Sequence, residues 1–471
     1  MELKKLFVAM AAVSAMGLTA CGGSSSSDNN SSDGGDNNTA DNVCVSAGGT
    51  VADDTYTIND VATPICNLQG TITEDATLTT DYVYRLSGYV TVGTGADEIT
   101  AVTDVSDVTL TIEPGVQFRS SGRGSLIISR GASIEANGTA DEPIVMASED
   151  YNFDGQGEWG GLVLQGFAKN NQCGADMPAV CNVADEADTG FHGGNNDADS
   201  SGSISYLIVA EGGYEVAADQ EVNGITMHSV GYGTSVENVM VYNNADDGIE
   251  FFGGAVNVKN LILVDNGDES IDWDDGYRGN IQYALVRQGV VNAGDNGIEA
   301  DNAGLSNTAE PVSNPTLANV TFQTGEAGSA FLMRAKLGTQ GSLVNVAADN
   351  YAKAFRVADA ETMVAVENVL VEFTGTGSSD VLRLDDGATA ASISGWSATS
   401  VTSTVELGSA FEVTGSESTL STAATFTSAN DSTGFFDNAG ASYIGAVAPT
   451  VTAAENAWWF WANDVVPAAF E

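Results

Sequence analysis

The feature that most constrains this chain is a repeat in register. Val236-Glu-Asn-Val-Met-Val-Tyr-Asn-Asn aligns with Val258-Lys-Asn-Leu-Ile-Leu-Val-Asp-Asn at an offset of 22 residues, and every apolar position matches. The acidic phrases that follow keep the same register, Asp246 with Asp268, Ile249 with Ile271, Glu250 with Asp272, Phe251 with Trp273 and Gly254 with Gly276. Looser copies begin at Gln282, Asn319, Asn345 and Asn368, at spacings of about 22 to 37 residues because loops of different length intervene. A period in the low twenties, built of short alternating β-rich runs, is the mark of a β-solenoid. A single coil cannot bury its apolar face alone, so stacking on the next coil makes the core. Recurrent Asn and Gly are expected at corners that need a left-handed backbone.

Earlier coils are visible in 110-LTIEPGVQF-118, 126-LIISRGASIEA-136, Pro143-Ile-Val-Met and 159-WGGLVL-164. The phrases 110-LTIEPGVQF-118, 130-RGASIEANGTADEPIVMAS-148, 158-EWGGLVLQG-166 and 246-DDGIEFFGGAVNVKNLILVDNGDESIDWDDGYRGNIQYALV-286 resemble a family of bacterial right-handed parallel β-helix outer-membrane lipoproteins. That family occurs in marine gammaproteobacteria and Bacteroidetes, and its fold is similar to that of pectate lyases. The resemblance is strongest over residues 70–300 and implies fold and location rather than chemistry. The fold class expected is therefore all-β, a single-stranded right-handed parallel β-helix. An open terminal coil exposes core and strand edge, so caps are required. Residues 43–100 are expected to form the N-terminal cap, residues 101–450 the helix, and residues 451–471 an aromatic C-terminal cap around 457-AWWFWAND-464. That aromatic run is also suited to stacking against sugar rings.

The N-terminus bears on location. Lys4 and Lys5 precede the apolar run Leu6–Ala15, too short to span a bilayer, and Leu18-Thr-Ala-Cys21 follows at once. This arrangement is a signal peptide over residues 1–20, and its ending resembles the lipobox of bacterial lipoproteins. The resemblance implies that Cys21 is acylated and anchors the chain, with Gly22 favouring the outer membrane and the cell surface. Residues 22–42 are Gly, Ser, Asn and Asp with few exceptions, the composition of a tether. Four further cysteines in an exported chain suggest two disulfides, and of three connectivities the pairing of neighbours, Cys44 with Cys66 and Cys173 with Cys181, is the expected one. A thiolate or imidazole metal site is disfavoured by spacing, since Cys-x-x-Cys is absent and His192 and His228 stand far apart.

Charge excludes one class of partner. With 64 acidic against 15 basic residues and a formal charge of −49, the chain is not a nucleic-acid binder. The excess suits a saline, cation-rich medium and offers sites for Ca²⁺.

Placed on strands, the acidic phrases form one face. The apolar flanks of Gly248-Ile-Glu-Phe251, Ser270-Ile-Asp-Trp273 and Gly297-Ile-Glu-Ala300 point inward, so Glu250, Asp272 and Glu299 point out. Arg334, Arg356 and Arg383 continue the column with opposite sign. Stacked carboxylates repel and need counter-ions, which makes Asp246, Glu250, Asp268, Asp272, Asp274 and Asp275 the candidate Ca²⁺ ligands. Glu299, Arg334, Arg356 and Arg383 are the candidate ligand-binding residues, because guanidiniums take uronate or sulfate groups bidentately. A purely structural ladder, with Glu299 and Arg334 paired where the sign changes, explains the same pattern.

Two functions follow for this face, beside a third reading of a structural surface protein with no small ligand. One is a Ca²⁺-dependent polysaccharide-binding or adhesion module, and the alternative is a carbohydrate-active enzyme. A glycosidase needs two carboxylates about 5–9.5 Å apart, which Glu250 and Asp272 would supply as would any acidic β-helix. A β-eliminating lyase needs a base beside Ca²⁺, for which Arg278 and Arg287 are candidates by position. Phe191-His-Gly-Gly194 echoes only part of a polygalacturonase motif, and a serine nucleophile elbow, a Walker loop and a Rossmann fingerprint are all absent. The long polar insertion at 169–202, with its Cys173/Cys181 pair, is expected to form a recognition loop along one wall of the face.

Overall fold

A computed structural model of the chain describes residues 39–470, apart from 59–60, 151, 218–219, 290–294, 303–305, 326–330, 376, 378–380, 397–400 and 403. The signal peptide and Cys21 lie outside the described residues. The 22-residue register is a hydrogen-bonded one. Strand Ser235–Tyr242 pairs in parallel with Asn257–Val264, Val236 beside Val258 and Val241 beside Leu263, and Ile249–Phe252 pairs in the same register with Ile271–Asp274. A backbone whose side chains match rung by rung lets identical residue types stack, and that stacking propagates through the molecule.

Three parallel sheets result, wound as a right-handed β-helix. The first runs from Ala76–Leu78 through Ser133–Asn137 and the start of Ser235–Tyr242 to Ile393–Ser394. The second passes through Gln117–Ser120, Ile144–Ser148 and the second halves of the same long strands to Val401–Thr402. The third contains Ser125–Ile128, Leu162–Gln165, Ile225–His228, Ile249–Phe252, Ile271–Asp274, Ile298–Ala300, Phe331–Ala335, Lys353–Ala358 and Leu382–Asp385. Where the first sheet bends into the second, Asn238, Asn260, Asn319, Asn345 and Asn368 adopt positive φ of 54 to 60°. Asparagine tolerates that region, and its amides bond along the corner, Asn260 to Asn238 and Asn368 to Asn345 at 3.0 Å each.

Inward side chains of all three sheets merge into one core from Cys44 to Ile393 that includes Phe251, Trp273, Phe322 and Phe355. Each fully buried aliphatic or aromatic residue contributes about 1.5–3 kcal/mol, so the column of rungs is stabilised along its whole length.

The ends depart from expectation. Helix Thr39–Ser46 starts within the expected tether, and strand Thr50–Ile58 forms an antiparallel hairpin with the strand beginning at Val61. The Cys44–Cys66 disulfide ties the helix to that strand. Parallel pairing already begins at Ile65–Leu68 with Val83–Leu86, inside the 43–100 segment assigned to the cap. The C-terminal segment is not a lid on the last coil. Beyond Val401–Thr402 the chain turns back as a strap along the outside of the first two sheets. Trp459 and Trp461 bury themselves against Val145, Ile208, Met240, Ile262 and Leu285, the outward neighbours of core residues. Strands apolar on both faces need such a cover.

Candidate functional site

The strap lies along the first two sheets, whereas the third turns charged residues outward. Its site grows from one phrase written three times: Asp246-Asp-Gly-Ile-Glu250, Asp268-Glu-Ser-Ile-Asp272 and Asp295-Asn-Gly-Ile-Glu299. In each copy a turn delivers the first two residues and a strand begins at the isoleucine. Ile249, Ile271 and Ile298 are buried, which forces Glu250, Asp272 and Glu299 outward on adjacent rungs in direct register. Gly248 permits the close stacking, because a Cβ there would stand 2.7 Å from the Ser270 carbonyl oxygen and 2.5 Å from the Asn266 amide.

The three copies line an open groove of about 590 Å³. Asp246, Asp268 and Asp295 form one column, Glu250, Asp272 and Glu299 another, with Asp247 and Glu269 between them. Oxygens of Asp246, Asp247 and Asp268 lie within 4.8 Å of one another, as do those of Asp247, Glu250 and Asp272, and those of Asp268, Glu269 and Asp295. Each group draws on two successive rungs, so a divalent cation there would bridge coils. Neutral donors hold the frame: Asn223 Nδ2 donates to Glu250 Oε2 (2.5 Å), the Glu269 amide to Asp247 Oδ1 (2.8 Å) and Asn296 Nδ2 to Glu269 Oε1 (2.6 Å).

Loss of water and mutual repulsion push these carboxyls up. Desolvation followed by the charge of Asp268 raises Asp246 to about 7 and Glu269 to about 9. Desolvation and then Asp272 raise Glu250 well above the carboxylate range, while desolvation, Asp301 and Glu299 do the same to Asp272. A site that resists its own ionisation in this way favours a bound cation.

The column continues as expected into Arg334, Arg356 and Arg383, in register rung by rung. These arginines also meet carboxylates of the chain. Arg334 donates to Glu299 at 2.9 Å, Lys336 contacts Glu299 and lies 3.2 Å from Asp301, and Arg356 and Arg383 share Asp385 at 3.0 and 2.8 Å. Arg334, Lys336 and Arg356 line a second hollow of about 200 Å³, and Arg334 borders both.

Four further candidates stand outside the groove lining. Asp275 sits at a corner with φ 58°, its Oδ2 accepting from Gln172 Nε2 (2.6 Å) and Asn170 Nδ2 (3.3 Å), so it serves the insertion and not the cation groups. Asp274 flanks the groove on the neighbouring column, where its Oδ1 accepts from the Asp275 amide. Arg278 clamps Asp197 through both terminal nitrogens at 3.1 and 3.0 Å. Burial opposes ionisation of Asp197, yet Arg278 and Lys169 hold its carboxyl at about 2, which leaves Arg278 a structural ion pair away from the groove. Arg287 is buried under the strap, bonded to Gln323 and the Ala469 carbonyl and stacked on Phe411 at 4.8 Å. Neither arginine is placed as a lyase base.

Asp247, Glu269 and Asp295 escaped the candidate set although the five-residue phrase contains them; reading whole phrases rather than strand residues would have found them. Glu186 and Glu221 also line the groove and carry no sequence signal, because a 3₁₀ turn at Glu186–Asp188 and the short hairpin strand Gln220–Glu221, both outside the repeated phrase, bring them there. Glu186 belongs to the 169–202 insertion, whose Cys173–Cys181 disulfide forms as expected and which does supply part of a wall. Desolvation, then Asp246 and Glu221, raise Glu186 to about 8. The two histidines, far apart in sequence, stand with ring centres 4.6 Å apart.

Searches of curated proteins and of solved structures return no match. The family model described as a pectate-lyase like beta helix domain matches residues 70–430, a span that holds every rung from the first sheet's opening strand to its end. Rung register, three-sheet winding and this match agree, and the chain belongs to the pectate-lyase-like β-helix family.

Proposed function

We propose that this protein is a lipid-anchored surface module, held at the outer membrane through Cys21, that binds acidic polysaccharide with the help of Ca²⁺. The observation that carries the reading is the repeated grouping of carboxylate oxygens from successive rungs within 4.8 Å along an open groove. Asp246, Asp247 and Asp268 would hold one ion and Asp247, Glu250 and Asp272 another, since Ca²⁺ takes six to eight oxygens and accepts irregular carboxylate sets. Ions held this way leave coordination positions toward solvent, where sugar carboxylates and hydroxyls complete the shell. At the groove's end Arg334, with Lys336 and Arg356 behind it, offers guanidinium and ammonium donors to uronate or sulfate groups. The pectate-lyase-like domain supports a polysaccharide-related role.

Binding is favoured over β-elimination because Arg278 and Arg287 are engaged away from the groove. Affinity electrophoresis in gels containing polygalacturonate, alginate or a neutral glucan tests the reading. Retardation by the acidic polymers in Ca²⁺, lost in EDTA and reduced in an Arg334→Ala/Arg356→Ala variant of normal stability, is expected. Equal retardation by the neutral glucan contradicts the reading, and release of unsaturated uronides would move it to a lyase.

A further inference from the structure

The insertion brings a different donor set together, separate from the acidic groove. Asp185 lies at the end of strand Val180–Ala184, and His192 on the strand Phe191–Gly194 that pairs with it, both within the insertion. His228 ends strand Ile225–His228 of the third sheet, beside Gln165 on the preceding rung. All three side chains are buried, with exposures of 0, 1 and 2%. His192 Nε2 faces Asp185 Oδ1 at 3.7 Å, and His228 Nε2 faces Asp185 Oδ2 at 3.9 Å.

Those separations are too long for hydrogen bonds. They are close to what a shared metal demands: two ligand atoms about 2.0–2.2 Å from a tetrahedral ion stand roughly 3.4 Å apart. Asp185 Oδ1 has no hydrogen-bond partner among the described residues, although it is buried and faces the His192 imidazole; Gln165 Oε1 and, on the other edge of its ring, His228 Nδ1 are buried without a partner as well. The remaining contacts match an outer shell. His192 Nδ1 meets Ser229 Oγ at 2.8 Å, which fixes the ring with Nε2 toward the carboxylate, and Asp185 Oδ2 accepts from Thr189 Oγ1 at 2.7 Å and Gln165 Nε2 at 2.5 Å. Arg130, the guanidinium nearby, shares the field of Asp185 and His192 but spends its hydrogen bonds elsewhere, on the carbonyls of Gly95, Asp97 and Cys181 and on the Asn182 side chain.

We propose that Asp185, His192 and His228 form a buried site for a first-row transition-metal dication of the Zn²⁺ type, which fastens the insertion to the third sheet. Two imidazoles and one carboxylate suit such an ion and do not suit Ca²⁺, which takes oxygen. Its structural consequence is local: Asp185 precedes Glu186, so the metal fixes the segment that places Glu186 in the groove wall.

The chain has only two histidines, so imidazole coordination is a unique signature. The tag-free protein, saturated with Ca²⁺ to occupy oxygen sites, is titrated with Zn²⁺ and separately with Co²⁺. One equivalent bound, a Co²⁺ visible spectrum of four-coordinate type, and X-ray absorption with scattering from two imidazoles are expected. His192→Gln and His228→Gln should each weaken binding by at least about tenfold, the scale on which such sites respond to altered ligand shells. An all-oxygen shell, or no tight equivalent in the folded wild-type protein, overturns the proposal. The wild-type absorption spectrum decides the matter even where a variant fails to fold.

Discussion

Glu299 and Arg334 occupy adjacent rungs of one column, and their side chains meet at 2.9 Å where the ladder changes sign. The contact closes an acidic groove at one end and opens a basic hollow at the other. Arg334 is about one-third exposed, so the pair contributes at most about 1 kcal/mol to stability. Arg334→Ala is therefore expected to shift the melting temperature by little. It should strengthen Ca²⁺ binding several-fold, because the groove loses its guanidinium, and calorimetric titration checks both halves.

Stability should depend on pH in the direction set by raised carboxyl values. Asp246 at about 7, Glu186 at about 8 and Glu269 at about 9 hold protons in the folded state that the unfolded chain releases near pH 4. The folded state then binds more protons than the unfolded state, and stability falls as pH rises through that window. Thermal unfolding in EDTA between pH 5 and 9 should show a declining midpoint. Saturating Ca²⁺ should flatten the decline, because a bound cation takes the place of the protons.

Gly248→Ala is expected to cost about 1–3 kcal/mol, since the new Cβ would press on the Ser270 carbonyl of the next rung. Chemical unfolding measures the loss. Gly434→Ala, where a Cβ meets nothing within 4 Å but φ is positive, gives a control for backbone strain without rung contact.

Trp459→Ala should cost about 3–5 kcal/mol although it lies outside the helical core. It should also increase binding of an apolar dye, as Met240, Ile262 and Leu285 lose their cover. A residue capping only the last coil would leave those central rungs unaffected.

The sequence made the solenoid, the sign change along the column and both disulfides legible, because each rests on periodicity or spacing. The 22-residue offset between Val236 and Val258 becomes a hydrogen-bonded register without correction. What it hid depends on contacts across the chain. The strap was foreshadowed only by the runs Val239–Tyr242 and Leu261–Val264, continuous rather than alternating, which mark strands covered on both sides. His192 and His228 meet because an insertion folds back over the third sheet, and nothing in their spacing encodes that return. Arg278 looked like a base by position, yet Asp197, 81 residues away, takes its guanidinium.

The most direct test of the cation-bridged groove is calorimetric titration of the protein with Ca²⁺ beside an Asp272→Asn variant. Asp272 stands in the group with Asp247 and Glu250, and asparagine removes its charge while keeping its shape. The account predicts stoichiometric binding with a dissociation constant on the order of 10⁻⁵ M or tighter, and loss of one equivalent in the variant. Weak, non-saturating binding, or the same stoichiometry and affinity in Asp272→Asn, would contradict it.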